Sequence, residues 1–281
     1  MPTIESAQGS KRMAETTIFY ADTINDVFYQ IKSIKNLVIT GGCTGIGNLP
    51  EKMLSIRNIP ELCSIERRER YFEFGPGVTL SRICELEKTK LPSILCEAVK
   101  SVGNGRVRNM ATIGGNICAP GAKRSLFAVL LALDARLEFH NGTEGFTLPF
   151  SKFDTVKKGF ILTKIRVPIE SSSQWDVAVY RRLGASHYLT ENSASFAFLA
   201  SLQKGMLASL RIAFAGKFHV RSQELENKLV GSHLPLSQKN ITDVIAAASA
   251  RFDAASAAVE YHPILKAQYL NLVKYSLEQL T

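Results

Sequence analysis

Two glycine pairs constrain this chain more than any other feature of its sequence. The first lies in ITGGCTGIG, residues 39–47, where four glycines occupy nine positions directly after the apolar run NLVI. The second lies in ATIGGN, residues 111–116. Glycine accepts positive φ and lets a ligand or another backbone come close. Consecutive backbone N–H groups at such a turn form a concave nest for anionic oxygens, and a nearby helix N-terminus strengthens it. Two loops of this kind, each ending an apolar segment, predict a pair of cradles closing on one elongated anion such as a diphosphate.

Other ways of using glycine loops are disfavoured. Neither loop is followed by Gly-Lys-Ser/Thr, so neither is a phosphate-binding P-loop, and neither fits G-x-G-x-x-G with an acidic residue at the right distance. The five cysteines (43, 63, 84, 96 and 118) are odd in number and widely spaced, with no C-x-x-C pair. They predict no disulfide framework and no zinc or iron–sulfur site within the chain, and they fit a reducing cytoplasm. The five histidines are equally dispersed. Neither a metal ligand nor a catalytic side chain is expected. The net charge of +9 invites a nucleic-acid reading, but ERRER at 66–70 and LEKTK at 86–90 mix both signs. An acidic partner or a phosphate-bearing ligand suits this balance better than nucleic acid. No apolar stretch reaches the roughly 20 residues of a membrane span, and residues 1–17 read as a flexible tail without a signal-peptide core.

Along the chain, Ile24, Val27, Phe28, Ile31 and Ile34 give residues 22–35 helical spacing, with Asp22 as the expected N-cap. NLVIT reads as a buried strand. YFEFGPGVTL alternates like a strand, and LSRICELEK and PSILCEAVKSV like short helices. SLFAVLLALDA reads as a buried helix. RLEFHNGTEGFTL reads as a hairpin about Asn141-Gly142. GFILTKIRVPI is a strand ended by Pro168. ASFAFLASL and LASLRIAFAGKF form an antiparallel pair broken near Lys204-Gly205, and two helices close the chain. The serine-rich stretch 170–176, ESSSQWD, is the expected domain boundary. The fold class is α+β.

At VRNMATIGGNICAPGAKRSLFAVLLALDARLEF (107–139) the sequence resembles the FAD-binding subunit of molybdenum hydroxylases, enzymes of the xanthine dehydrogenase and carbon monoxide dehydrogenase type. ITGGCTGIG sits where that family has its first flavin loop. YRRLGASHYLTENSASFAFLAS through RIAFAGKFHVRSQELENKLVG is similar to the family's C-terminal domain, including an E-x-x-L-x-G helix. The resemblance implies a two-part FAD-binding domain of the vanillyl-alcohol-oxidase-like type at 18–172 (subdomains about 18–70 and 71–172), then a smaller α+β domain at 173–281. It also implies partners: a molybdopterin-binding large subunit and a small subunit holding 2Fe–2S clusters. Electrons would pass from those clusters through FAD to NAD or another acceptor.

Carried over by position, Thr40, Gly41, Gly42, Cys43, Thr44 and Gly45 offer N–H groups to the FAD diphosphate. Val102 and Gly103 approach the cofactor. Thr112, Gly114, Gly115 and Asn116 form the second loop, with the Thr and Asn side chains as donors. Leu162 and Arg182 match an apolar and a basic position beside the isoalloxazine ring. Two departures stand out: Cys43-Thr44 replaces the usual Thr-Asp, and Ser125 occupies the position of an aspartate that holds part of the nucleotide. A neutral hydroxyl cannot supply two carboxylate acceptors; Lys123 and Arg124 offer the diphosphate a compensating charge. These departures motivate the alternative of a structural or assembly subunit that keeps the fold without flavin.

Overall fold

The computed structural model describes residues 16–45, 48–86, 91–121, 125–169, 175–184, 190 and 192–280. Most of the expected tail, most of the expected boundary at 170–176, and Lys123 and Arg124 lie outside them. Thr17, assigned to the tail from sequence, instead opens a strand.

The N-terminal part is a small parallel sheet with one helix. Strands β1 (Thr17–Phe19), β3 (Lys52–Ser55) and β2 (Val38–Thr40) lie in the order β1-β3-β2, with helix α1 (Ile24–Ser33) between β1 and β2 in the chain. The N-cap of α1 is Thr23, not Asp22. Thr23 Oγ1 accepts from the Asp26 N–H, and Asp26 accepts from the Thr23 N–H, a reciprocal box that a residue one position earlier could not close. Val27, Phe28, Leu54, Ile56, Ile59 and Leu62 form its apolar cluster, joined by Ile161 from further along the chain.

The central part is a five-stranded antiparallel sheet, ordered β4 (Ile65–Arg67), β5 (Tyr71–Phe74), β8 (Ile161–Pro168), β6 (Arg136–His140), β7 (Gly145–Pro149). Between β5 and β6 the chain makes helices α2 (Leu80–Glu85), α3 (Ser93–Lys100), α4 (Gly105–Met110), α5 (Ile113–Cys118) and α6 (Phe127–Ala132). The β6–β7 hairpin forms as expected. Its loop spans Asn141 to Glu144, with Asn141 Oδ1 accepting from the Thr143 and Glu144 N–H groups. Its Gly142 docks against Phe28 of α1, where a Cβ would come within 2.9 Å.

The C-terminal part is a four-stranded antiparallel sheet, β12 (His219–Arg221), β11 (Met206–Ala215), β10 (Ala194–Gln203), β9 (Val177–Leu183), with helices α7 (Gln223–Asn227), α8 (Gln238–Ser256) and α9 (Ile264–Glu278). Over Ala194–Ala200 and Ile212–Ala215, strands β10 and β11 are buried on both faces. Phe196, Phe198, Ile212 and Phe214 pack with α8 and α9, whereas Ala197, Leu199, Ala213 and Ala215 join the central core around α6. Every residue of α6 is buried, so it is wedged between core and C-terminal sheet.

The outer face of the five-stranded sheet holds an ionic network. Glu73 accepts from Lys164 at 2.6 Å and Arg166 at 2.9 Å, and Arg166 also reaches Glu138 at 2.6 Å. Burial acts to raise the Glu73 carboxyl, but hydrogen bonds and charges from Lys164 and Arg166 outweigh it and hold it below the ordinary range. A carboxyl depressed in the folded state stabilises above its unfolded value, about pH 4.3, and loses that contribution as pH falls through its folded value. Urea midpoints measured at about pH 6 and pH 3 are therefore expected to drop more for the wild type than for Glu73→Gln.

Candidate cofactor site

The glycine loops meet, and the reason is steric. A Cβ on Gly41 would sit 2.3 Å from Thr112 Oγ1, and one on Gly42 would sit 1.6 Å from the Met110 carbonyl oxygen. The first loop thus lies directly against the junction of α4 and α5. Its glycines serve close approach rather than unusual torsion, because the left-handed residue of the loop is Cys43, at φ 54°.

The two loops differ in what they offer a ligand. Thr40 closes β2, and its carbonyl accepts from the Ile56 N–H within the parallel ladder, so it forms wall rather than cradle. Beyond it, no described residue accepts a hydrogen bond from the backbone N–H of Gly41, Gly42, Cys43 or Thr44. Four consecutive donors at one turn make a nest.

The second loop is not a nest, which corrects the expectation of paired cradles. Thr112 caps α5, and the amides are spent internally: Ile113 on the Val78 carbonyl, Gly114 on Pro76, Gly115 on Thr112 Oγ1 and Asn116 on the Thr112 carbonyl. Gly114 is bare because Pro76 occupies the place of its Cβ, within 2.5 Å. What remains to donate is the Thr112 hydroxyl proton, since Oγ1 accepts from Gly115, and the Asn116 amide, since Oδ1 accepts from the Leu126 N–H at 3.2 Å.

A cavity of about 880 Å³ opens between the loops, within the roughly 300–1,000 Å³ of small-molecule sites. All fifteen residues singled out from sequence line it: Thr40 through Gly45, Val102 and Gly103, Thr112, Gly114, Gly115 and Asn116, Ser125, Leu162, and Arg182. Sequence reasoning missed the connection 156–160 before β8, which brings Lys157 and Lys158 to the wall. In the sequence this lysine pair looks like any surface pair, so nothing there pointed to the site. Among the described lining residues there are three cations, Lys157, Lys158 and Arg182, and no carboxylate. Ile31, Leu37, Val38, Ile39 and Phe160 supply apolar surface.

A second set of residues holds the wall in place. Gly103 takes φ 51° after α3, and Arg108 Nη1 donates to the carbonyls of Val102 at 3.1 Å and Gly103 at 2.9 Å. Arg182 Nη1 donates to the Ser101 carbonyl at 2.9 Å. Tyr180, two residues earlier on β9, is buried; its hydroxyl lies 3.0 Å from Ser101 Oγ and donates to the Ser125 carbonyl at 3.2 Å. Burial raises the Tyr180 phenol, against lowering by the Ser101 hydrogen bond and the Arg182 charge. A neutral phenol therefore pins Ser125 beside the cavity. An elongated group with an apolar ring and a negatively charged middle fits this set: a four-amide nest, three cations, no competing carboxylate, and apolar walls.

Comparison with known proteins agrees with this geometry. Residues 14–170, more than half of the chain, match the family model described as FAD binding domain in molybdopterin dehydrogenase. The abscisic-aldehyde oxidase of Arabidopsis thaliana is 26% identical over 257 residues, covering 79% of this chain but 19% of that protein. Subunit alpha of the 6-hydroxypseudooxynicotine dehydrogenase complex of Paenarthrobacter nicotinovorans is 26% identical over 197 residues, covering 66% of this chain and 65% of that subunit. The chain therefore spans only part of the length of these relatives. In fold it superposes on a chain of reconstituted CO dehydrogenase from Oligotropha carboxidovorans with a TM-score of 0.77 and 18% identity, covering 95% of this chain and 96% of that one. The chain is a member of the family of FAD-binding domains of molybdopterin dehydrogenases.

Proposed function

We propose that this protein is the electron-transferring flavin subunit of a multi-subunit molybdenum hydroxylase acting in the cytoplasm. Electrons arrive from 2Fe–2S clusters on a small partner subunit and leave to NAD or another acceptor, while a molybdopterin-bearing large subunit oxidises the organic substrate. The observation that carries this reading is the cavity itself: an amide nest and three cations, with no lining carboxylate among the described residues.

FAD, when bound, supplies the redox chemistry, and the protein supplies position and electrostatics. The Gly41–Thr44 amides hold the diphosphate. Thr112 and Asn116 donate from the opposite wall. Arg182, whose guanidinium donates to the Ser101 carbonyl, would put a positive charge in the cavity wall and favour negative charge on the bound group. Lys157 and Lys158 would add positive charge to the same cavity wall. No side chain of this chain acts as acid, base or nucleophile, and the chain alone does not oxidise the organic substrate.

Titrating the purified chain with FAD and following flavin fluorescence tests the reading. Saturable quenching is expected, and Gly115→Asp abolishes it by putting a carboxylate at the cavity wall. A Cβ there would come within 3.0 Å of Thr112 Oγ1, a side-chain atom that must give by a few tenths of an ångström, and circular dichroism checks that the variant is folded. Ser125→Asp is expected to bind about tenfold tighter, since a hydrogen bond to a charged group is worth roughly 1.5–3 kcal/mol. Absence of uptake, with partner subunits present, supports instead a scaffold subunit without flavin.

A further inference from the structure

We propose that the outer face of the five-stranded sheet carries an oxyanion site that receives a carboxylate-bearing segment of a partner protein chain. The site is a concavity of about 460 Å³ lined by Arg70, Tyr71, Arg136, Thr147, Arg166 and Pro168. It shares no residue with the cofactor cavity. Leu162, near the start of β8, lines that cavity, whereas Arg166 and Pro168, at the other end of the strand, line this one.

The strand register makes the charge unusual. Phe72, Leu137, Ile165 and Val167 point into the core, so Glu73, Arg136, Glu138, Lys164 and Arg166 share the opposite face. On that face Arg136 of β6 lies directly across from Arg166 of β8, and like charges so placed destabilise a sheet. Glu73, across from Arg166 on the other side, is shared with Lys164, and Glu138 is taken by Arg166. No described acid pairs with Arg136, which is exposed. The intramolecular network therefore leaves one guanidinium beside another without a neutralising carboxylate of its own.

The site is also held in shape. Arg166 is clamped by two carboxylates and lies over the Tyr71 ring, 5.6 Å from its centroid. Guanidinium forks match a carboxylate with two parallel hydrogen bonds. The Tyr71 ring and Pro168 give an apolar rim on which the stem of an acidic side chain can rest. The chain's net charge of +9 makes an acidic partner surface its electrostatic complement.

The test uses the full chain saturated with FAD, so that the cofactor cavity is blocked, and a fluorescein-labelled hexaglutamate peptide followed by anisotropy at low salt. The wild type is expected to bind. Arg136→Gln weakens binding about tenfold with unchanged flavin uptake and a melting temperature equal to the wild type's or slightly higher, since one of two facing like charges is gone. Lys239→Gln, an exposed lysine on α8 of the C-terminal part, leaves binding as in the wild type. The proposal is overturned if the wild type does not bind, or if Arg136→Gln is silent. It also fails if Lys239→Gln weakens binding equally, which means diffuse charge. Displacement of the peptide by inorganic phosphate at lower concentration than by free hexaglutamate assigns the site to a small anion and overturns the partner segment.

Discussion

Gly42→Ala is expected to abolish flavin uptake and to lower the melting temperature by about 6–12 °C. The added methyl would lie 1.6 Å from the Met110 carbonyl oxygen and 2.3 Å from its carbon, both backbone atoms that cannot rotate away. Either the first loop lifts off the α4–α5 junction or that junction moves. Overpacking of this kind costs about 3 kcal/mol, and each kcal/mol shifts the melting point of a protein this size by roughly 2–4 °C. The same movement pulls the amide nest away from Thr112 and Asn116, so the cavity loses its geometry along with its stability. Calorimetry and the FAD titration read the two effects separately. If Gly42→Ala binds FAD as the wild type does, contact between the loops is not what shapes the site. Gly115→Asp is the counterpart: it is expected to remove binding with little change in melting point.

Glu226→Ala is expected to destabilise the protein by about 3 kcal/mol or more. Glu226 is 1% exposed; its Oε1 accepts from Arg221 Nε at 2.9 Å and from the Ile212 N–H at 3.0 Å. Arg221, whose side chain is 5% exposed, donates also to Asp134 Oδ1 at 2.6 Å and to the Leu131 carbonyl at the end of α6. Burial acts to lower the Arg221 guanidinium, but Asp134 and Glu226 outweigh it and keep it charged. Removing one member of a buried pair strands the other, at about 3–5 kcal/mol, here moderated because Asp134 remains. The double variant Glu226→Met with Arg221→Met strands no charge and is expected to lose less than Glu226→Ala. Urea unfolding of the three proteins checks this order.

Much of the architecture was legible because apolar periodicity survives where one face of an element is buried. Helix α1, the β6–β7 hairpin, β8 and the β10–β11 pair all occur where the pattern put them. The short strands β1, β3 and β4 were not foreseen; three or four residues are too few for a period, and they exist through pairing with distant partners. Strands β10 and β11 lack alternation because α6 covers one face and α8 and α9 the other, so their register came only from the structure. The E-x-x-L-x-G pattern was visible from resemblance, but only coordinates show why its glutamate belongs there, as the partner of Arg221 and the Ile212 amide. In the candidate site, residue types and spacing found the loops. They could not tell that α5 spends its own amides: the Thr112 cap is local, but the acceptors for Ile113 and Gly114, the Val78 and Pro76 carbonyls, lie far back in the chain. Lys157 and Lys158 carried no pattern separable from surface lysines.

The internally satisfied amides of α5 have a consequence for how a ligand is received. The backbone of that wall is fixed by the chain's own hydrogen bonds, and only the Thr112 hydroxyl and the Asn116 amide are left to answer a ligand. A ligand entering there meets one wall already in place, so the cost of ordering falls on the Gly41–Thr44 side.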